Sequence, residues 1–196
     1  MWLLLVCAGL AWLLRYENAP GAAAAPPTEW PRASHLLPSA EHATLVMSVH
    51  PKCPCTRASL GELAAIMAHS QGHVTTFVLF VKPAGFADDW EKTDLWKSAT
   101  EIPGVTAVVD NLGREATLFQ SQTSGQTMLY NARGHLMFRG GITASRGHSG
   151  DNAGRSSIIS IVNAEGSYQS STPVFGCPLF DPESTCKISG NEKNAR

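Results

Sequence analysis

The sequence has no excess of charge of either sign and no run of basic residues. Its 15 Lys and Arg residues nearly balance 16 Asp and Glu residues, for a formal net charge of −1. Proteins that bind nucleic acid through phosphate contacts carry a basic surface, so this balance predicts no nucleic-acid partner. Internal repeats are absent. With 196 residues, 43% of them hydrophobic, the chain can bury one core and fits one domain of about 100–150 residues with extensions.

The chain also lacks an apolar run of the length that crosses a membrane by itself. Residues 2–14 are apolar throughout, but the hydrocarbon core of a bilayer needs about 20 such residues, and the run is more typical of a signal-peptide core. We expect residues 1–16 to be a membrane anchor or uncleaved signal, part of a transmembrane helix whose upstream part lies outside this chain. Residues 17–42 are rich in Pro and Ala and are predicted to be a linker.

Strand and helix patterns alternate between residues 43 and 166. The predicted order is strand 43–49, helix 55–70, strand 73–83, helix 88–100, strand 105–110, short helix 112–120, hairpin 125–141 and closing helix 150–166. The hairpin is expected to turn at residues 131–134, and Asp151 or Asn152 is expected to cap the last helix. This order predicts an α/β domain, followed by a tail at residues 167–196 that contains Cys177 and Cys186.

Two cysteines, Cys53 and Cys55, flank a single proline between the first strand and the first helix. A proline fits the first helical position, so Pro54 would make Cys53 the exposed cap and place Cys55 inside the helix. The positive end of a helix favours a thiolate, which is the nucleophile of disulfide exchange. The spacing therefore predicts Cys53 as the attacking sulfur and Cys55 as its resolving partner.

Other chemistry remains open for the same residues. Thiolate and imidazole ligands suit copper, so Cys53, Cys55 and His50 are an alternative metal set for a copper chaperone. A thiol peroxidase that uses the neighbouring Thr56 and Arg57 is a further alternative, as is a pair of inert structural cysteines.

Several stretches together resemble a known superfamily: "HPKCPCTRASL", "VVDNLGREATLFQ", "TMLYNARGHLMFRGGI", "GGITASRGHSGDNAGR" and "PVFGCPLF". They are similar to thioredoxin-like proteins, in particular the membrane-anchored, extracytoplasmic TlpA and peroxiredoxin-like branch and the group named RedB proteins. The resemblance implies a thioredoxin-like fold with a central mixed sheet of about four to five strands flanked by helices. It also implies thiol–disulfide exchange with other extracytoplasmic proteins (periplasmic ones in a bacterium) and no cofactor.

The sequence departs from this superfamily at two points. One residue rather than two separates the cysteines, and Gly125 stands near the position of the usual cis-proline. In the superfamily, the loop after the hairpin returns to the cysteines, so Arg146 and His148 are expected beside them, where a positive charge would lower the pKa of Cys53. Asp151 lies in the same loop.

Cys177 has two possible partners within the sequence. The closing helix is roughly 20 Å long, and residues 165–177 can extend roughly 40 Å. The tail is therefore long enough to return Cys177 to Cys53 and Cys55 and give it a part in the exchange. A Cys177–Cys186 disulfide is the alternative.

Overall fold

The computed structural model describes residues 1–70 and 72–180, so Cys186 and its predicted pairing lie outside the described residues. Ten elements follow in chain order: α1 Trp2–Glu17, β1 Ala43–Val49, α2 Thr56–Ser70, β2 Val74–Lys82, α3 Asp94–Thr100, β3 Val105–Asn111, α4 Arg114–Leu118, β4 Gln126–Tyr130, β5 Leu136–Gly140 and α5 Ala153–Val162. The predicted order is thus observed. The hairpin turns where expected, with Gly134 N–H donating to Asn131 O at 2.9 Å.

Helix α3 is shorter than predicted. It begins at Asp94 rather than at Asp88. Asp89 has a φ of 65°, which a right-handed helix does not accommodate. Residues 88–93 therefore form turns, one closed by Lys92 N–H donating to Asp89 O at 2.9 Å.

The five strands form one mixed sheet in the order β3-β2-β1-β4-β5. β1 pairs in parallel with β2, and β2 in parallel with β3, whereas β4 runs antiparallel to both β1 and β5. A βαβ unit followed by an antiparallel hairpin, with the first strand at the centre, is the arrangement of the thioredoxin-like fold. The predicted fold class is confirmed.

The central strand β1 is buried on both faces of the sheet. Leu45 and Met47 belong to the core beneath α2, α3 and α5, and Val46 belongs to a second cluster on the opposite face. Successive strand residues point to opposite faces, which is why "ATLVMSV" is almost continuously apolar. The loop that carries both cysteines leaves the carboxyl end of this strand, where parallel strands commonly present functional groups.

Residues 17–42, predicted to be a linker, pack against the second face of the sheet. The Trp30 ring lies 5.1 Å from the Phe119 ring and 5.3 Å from the Tyr130 ring, both edge to face. Tyr130 Oη donates to Pro27 O at 3.0 Å, and Leu36 is buried. This segment covers a face that would otherwise be exposed, a contact that a spacer does not make.

Helix α1 exposes all of its large apolar side chains. Its C-terminal end meets the domain, where Arg146 N–H donates to Glu17 O at 3.0 Å. Within residues 1–70 and 72–180, no helix combines the length and apolar character required to span a membrane, so the predicted transmembrane helix is not found there.

The packing of Trp30 predicts that its removal weakens the whole domain. Truncating a fully buried tryptophan to alanine costs about 3–5 kcal/mol, and Trp30 is half-buried, so Trp30→Ala should lower the free energy of unfolding by about 2 kcal/mol. Urea denaturation of the full chain measures this change. Leu37→Ala is the matched control, because Leu37 is 81% exposed. Equal losses in the two variants would contradict the packing role of residues 17–42.

Candidate active site

Cys53, Pro54 and Cys55 form a tight turn that precedes the regular part of α2. Thr56 N–H donates to Cys53 O at 3.1 Å and Arg57 N–H to Pro54 O at 3.4 Å, both three residues back. The first bond of α-helical spacing is Ser59 N–H to Cys55 O at 3.4 Å. Cys55, rather than the predicted Cys53, therefore occupies the capping position. Both sulfurs still lie at the positive end of a 15-residue helix.

Cys53 is buried, contrary to the prediction of an exposed attacking sulfur. Its side chain is 1% exposed, whereas Cys55 is half-buried. The reason is the segment that carries Cys177, which lies over the turn and brings Cys177 Sγ to 3.2 Å from Cys53 Sγ. That distance is a hydrogen-bond contact and exceeds the length of about 2.05 Å of a disulfide bond.

This covering segment, residues 170–179, is called the strap below. Its first half pairs with β5, where Arg139 N–H donates to Ser170 O at 3.0 Å and Thr172 N–H to Arg139 O at 3.2 Å. Its second half crosses the loop before β4, where Ser124 N–H donates to Cys177 O at 2.8 Å. Three apolar side chains of the strap are buried: Val174, Phe175 and Leu179. The strap is thus docked along its length by backbone pairing and apolar contacts.

The two cysteines of the turn have opposite acidities. Hydrogen bonding with Cys177 and then with Cys55 holds the pKa of Cys53 far below that of an ordinary thiol, with a smaller contribution from Thr56, although burial acts against this. The pKa of Cys55 is raised, chiefly because its proton is shared with the Cys53 sulfur and also because the group is partly buried. Both shifts act in one direction and favour the thiolate at Cys53 over a thiolate at Cys55.

Arg146 lies beside Cys55. Its charge and a hydrogen bond act to lower the pKa of Cys55, whereas the sequence predicted an effect on Cys53. Its Nη1 also donates to Gly176 O of the strap at 2.5 Å, and its guanidinium lies 5.2 Å from the Tyr16 ring of α1. Among the described residues, its buried Nε has no hydrogen-bond partner. One side chain thus contacts Cys55, the strap and the end of α1.

His148 and Asp151 do not lie against the cysteines. His148 is exposed, and its Nδ1 is 2.8 Å from Arg146 O, on the backbone of its own loop. Asp151 pairs with Arg155 at 2.6 Å. The cap of α5 is Asn152, whose side chain accepts from Arg155 N–H. The loop predicted to lie near the site does so, but only its Arg146 reaches the cysteines.

Ser124 is a site residue that the sequence analysis missed. Its Oγ accepts from His50 N–H at 2.9 Å and lies 2.9 Å from Thr56 Oγ1. The pKa of His50 is lowered, mainly because the residue is buried, and the charge of Cys53 acts to raise it. Ser124 therefore contacts residues on both sides of the cysteine turn: the backbone of His50 before it and the side chain of Thr56 after it. The one signal was its place in "TSGQT", directly before Gly125, whose φ is +89°.

The alternative metal set of Cys53, Cys55 and His50 is not assembled. In the described part of the chain, no three His, Cys, Asp or Glu side chains group closely enough to hold a metal ion. The peroxidase alternative also lacks its arginine at the site, because Arg57 forms an exposed ion pair with Asp94. The arrangement suits sulfur chemistry at a buried thiolate.

Comparison with known proteins supports the fold. No protein-family model and no curated protein sequence matches the chain. A hypothetical protein from Sinorhizobium meliloti superposes with a TM-score of 0.62 at 14% identity, over 83% of this chain and 97% of that one. An uncharacterized conserved protein from Geobacillus kaustophilus superposes with a TM-score of 0.59 at 16% identity, over 84% and 94%. At such identities, the likeness is one of fold.

A third solved structure is that of a secreted Mycobacterium tuberculosis disulfide oxidoreductase homologous to E. coli DsbE. It aligns with 64% of this chain and 83% of its own, at 14% identity and a TM-score of 0.45.

The lowered pKa of Cys53 predicts an unusual pH dependence of its alkylation. An ordinary thiol, with a pKa of about 8.5, reacts about tenfold more slowly for each pH unit below that value. Cys53 should instead react with iodoacetamide at a rate that changes less than about twofold between pH 5 and pH 7. Peptide mapping by mass spectrometry after timed labelling measures each cysteine separately.

The absolute rate at Cys53 should be low, because the strap covers it. Cys7, on the exposed face of α1, is the reference for an accessible cysteine in the same sample. A rate at Cys53 that rises about tenfold per pH unit would contradict a resident thiolate.

Proposed function

We propose that this protein exchanges thiols and disulfides with other proteins outside the cytosol, tethered to a membrane by residues 1–16. The observation that carries the proposal is geometric: Cys53 and Cys55 flank a tight turn at the start of α2, and Cys177 Sγ lies 3.2 Å from Cys53 Sγ. The lowered pKa of Cys53 and the raised pKa of Cys55 favour Cys53 as the first nucleophile. Attack on a disulfide requires a thiolate. The second step requires a nearby thiol that does not compete as the first nucleophile, and Cys55 meets this condition.

The exchange proceeds in two balanced steps. The Cys53 thiolate attacks one sulfur of the partner's disulfide, so that a Cys53–partner bond forms and the other partner sulfur leaves as a thiolate. Cys55 then loses its proton to solvent and attacks Cys53 Sγ, which forms a Cys53–Cys55 disulfide and releases the partner's second sulfur. The partner gains two electrons and this protein loses two. The reverse sequence would oxidise a partner dithiol.

Cys177 is a second resolving sulfur in this proposal. Its Sγ lies 3.2 Å from Cys53 Sγ, so only a short approach separates it from bonding distance. The strap thereby gives the protein two routes from a mixed disulfide, one through Cys55 and one through Cys177.

The extracytoplasmic setting rests on the cysteines and on α1. Paired cysteines persist as disulfides outside the cytosol. Helix α1 exposes an apolar surface that includes Trp2, Leu4 and Trp12, and such a surface favours a lipid interface. The likeness to the TlpA branch and to the RedB group supports the same setting. Because Arg146 contacts the end of α1, the site would lie close to that interface.

Trapping of a mixed disulfide with glutathione tests the proposal. A full-length variant that carries both Cys55→Ser and Cys177→Ser should accumulate one glutathione on Cys53 when exposed to glutathione disulfide, since both resolving sulfurs are absent. Cys53→Ser should accumulate none at this site. Intact-mass and peptide mass spectrometry report the adduct.

Cys7→Ser, which removes a cysteine outside the site, is the matched control and should behave as the unaltered protein does. Equal adducts on Cys53 and on Cys7 would show that the site confers no special reactivity and would refute the proposal.

The position of Arg146 predicts a pH shift in the second step. Once Cys53 is bound in a mixed disulfide it carries no charge, and Arg146 then favours ionisation of Cys55. Arg146→Ala should therefore move the pH midpoint of glutathione release upward by about one unit, as expected for loss of a nearby opposite charge. His148→Ala is the control and should leave the midpoint unchanged. Stopped-flow release of glutathione from the Cys177→Ser background measures both, and equal midpoints for the two variants would place Arg146 outside the chemistry.

A further inference from the structure

The strap lies directly over Cys53, with Cys177 Sγ 3.2 Å from Cys53 Sγ. The Cys53 side chain is 1% exposed while the strap is docked. A partner that exchanges with Cys53 must therefore take the strap's place, and the strap's own contacts then describe what the vacated cleft accepts. The inference rests on the proposed function and deepens it by naming the form of the substrate.

The cleft offers backbone groups to an extended chain. Gly141 N–H donates to Pro173 O at 3.2 Å, Ser124 N–H to Cys177 O at 2.8 Å, and Gln122 O accepts from Leu179 N–H at 2.9 Å. Unpaired backbone groups are costly wherever they remain buried. An incoming segment in extended conformation can satisfy the same groups by strand addition.

The cleft also selects side chains, most sharply at the residue before the cysteine. A Cβ placed on Gly176 would lie 1.9 Å from Ser124 O and 2.9 Å from Ser124 C. These are backbone atoms of a segment that the His50 and Thr56 contacts hold in place, so they have little room to move. Apolar positions flank this point, with Phe175 before it and Leu179 after it, both buried.

We propose that the strap is an internal copy of the substrate. The cleft above Cys53 takes an extended, cysteine-bearing protein segment with glycine directly before the cysteine and apolar residues on either side. Residues 170–179 fill the cleft until such a segment displaces them. In the exchange, the Cys53 thiolate bonds to the segment's cysteine sulfur, and the sulfur formerly joined to that cysteine leaves as a thiolate.

Gly176→Ala in the full chain disfavours docking of the strap and leaves every cysteine unchanged, so it tests whether the strap limits access to Cys53. The added methyl group collides with Ser124 O only when the strap is docked, and Gly176 does not have the positive φ that would strain an alanine. The matched control is Gly61→Ala, at a helical position where the nearest atom to the new Cβ is Ser149 Oγ at 3.8 Å. Circular dichroism melts of both variants verify that the domain is folded.

Two probes are used with each protein. The first is glutathione disulfide, which is too small to read the cleft. The second is the synthetic peptide SSTPVFGCPLF, which has the sequence of residues 170–180 and carries thionitrobenzoate on its cysteine. It is compared with a peptide that has alanine in place of the glycine and is otherwise the same. Release of thionitrobenzoate reports attack by Cys53, and Cys53→Ser gives the background rate.

Gly176→Ala should react with both glutathione disulfide and the glycine peptide at least about tenfold faster than the unaltered protein, the order of effect expected when backbone contact excludes a methyl group. Gly61→Ala should not. In the Gly176→Ala protein, the glycine peptide should react at least about tenfold faster than the alanine peptide, for the same reason.

Two results would overturn this inference and leave the proposed function standing. One is equal rates for the glycine and alanine peptides. The other is a Gly176→Ala protein that reacts with glutathione disulfide no faster than the Gly61→Ala protein does. Either would show a strap that is only structural while exchange itself persists. No exchange with glutathione disulfide in any of these proteins would instead refute the proposed function and this inference together.

Discussion

The contact between Cys53, a residue almost without solvent exposure, and Cys177 of the strap is the interaction on which the rest of the site depends, because it favours a thiolate at a buried sulfur. Burial of a charge is costly unless hydrogen bonds compensate it. Here the compensation comes from Cys177 on the strap, from Cys55 in the turn and from Thr56, the first residue of α2. The three residues belong to three parts of the structure, so the acidity of one sulfur depends on how the turn, the helix and the strap are docked together.

The strap is itself held from two sides. It pairs with β5 on one side, and on the other Gly21 N–H donates to Val174 O at 2.8 Å. A cavity of about 370 Å³ lies between the two segments, lined by residues 20, 21, 23 and 24 on one side and residues 171–174 on the other. The segment that brings Trp30 onto the sheet therefore also supports the segment that covers Cys53. Loosening of either one would change the exposure of the thiolate, although neither belongs to the sheet.

Much of this architecture follows from local sequence patterns. The continuous apolar run of β1 reflects burial on both faces. In the hairpin turn, Gly134 takes the positive φ of 79°, and the Asn131 side chain accepts from the N–H groups of Arg133 and His135. Cys53, Cys55 and Arg146 were identifiable because thiols at a helix start and a cation after the last strand have direct chemical consequences. These features depend on residues close together in the chain or on the fold class.

The features that the sequence did not show depend on contacts between distant segments. Burial of Cys53 depends on the strap, more than 100 residues away, and the position of Ser124 depends on how the loop before β4 meets the cysteine turn. Trp30 lies in a stretch whose composition is typical of a linker, yet it finds two aromatic rings on the sheet. The composition of a segment indicates whether it can form a helix or a strand by itself. It does not indicate whether the segment packs against a distant part of the fold.

Because strap and thiolate belong to one chain, Cys177 competes for Cys53 at an effective concentration set by residues 163–169, which connect α5 to the strap. Short flexible connections give effective concentrations of about 1 mM. A partner at about 1 μM begins with a thousandfold disadvantage, or about 4 kcal/mol. If the chain is tethered to a membrane as proposed, a partner held at the same surface recovers part of that deficit without any better fit. The choice of partner at Cys53 then depends on two local concentrations. The length of residues 163–169 sets that of Cys177, and the location of the partner sets that of the partner's disulfide.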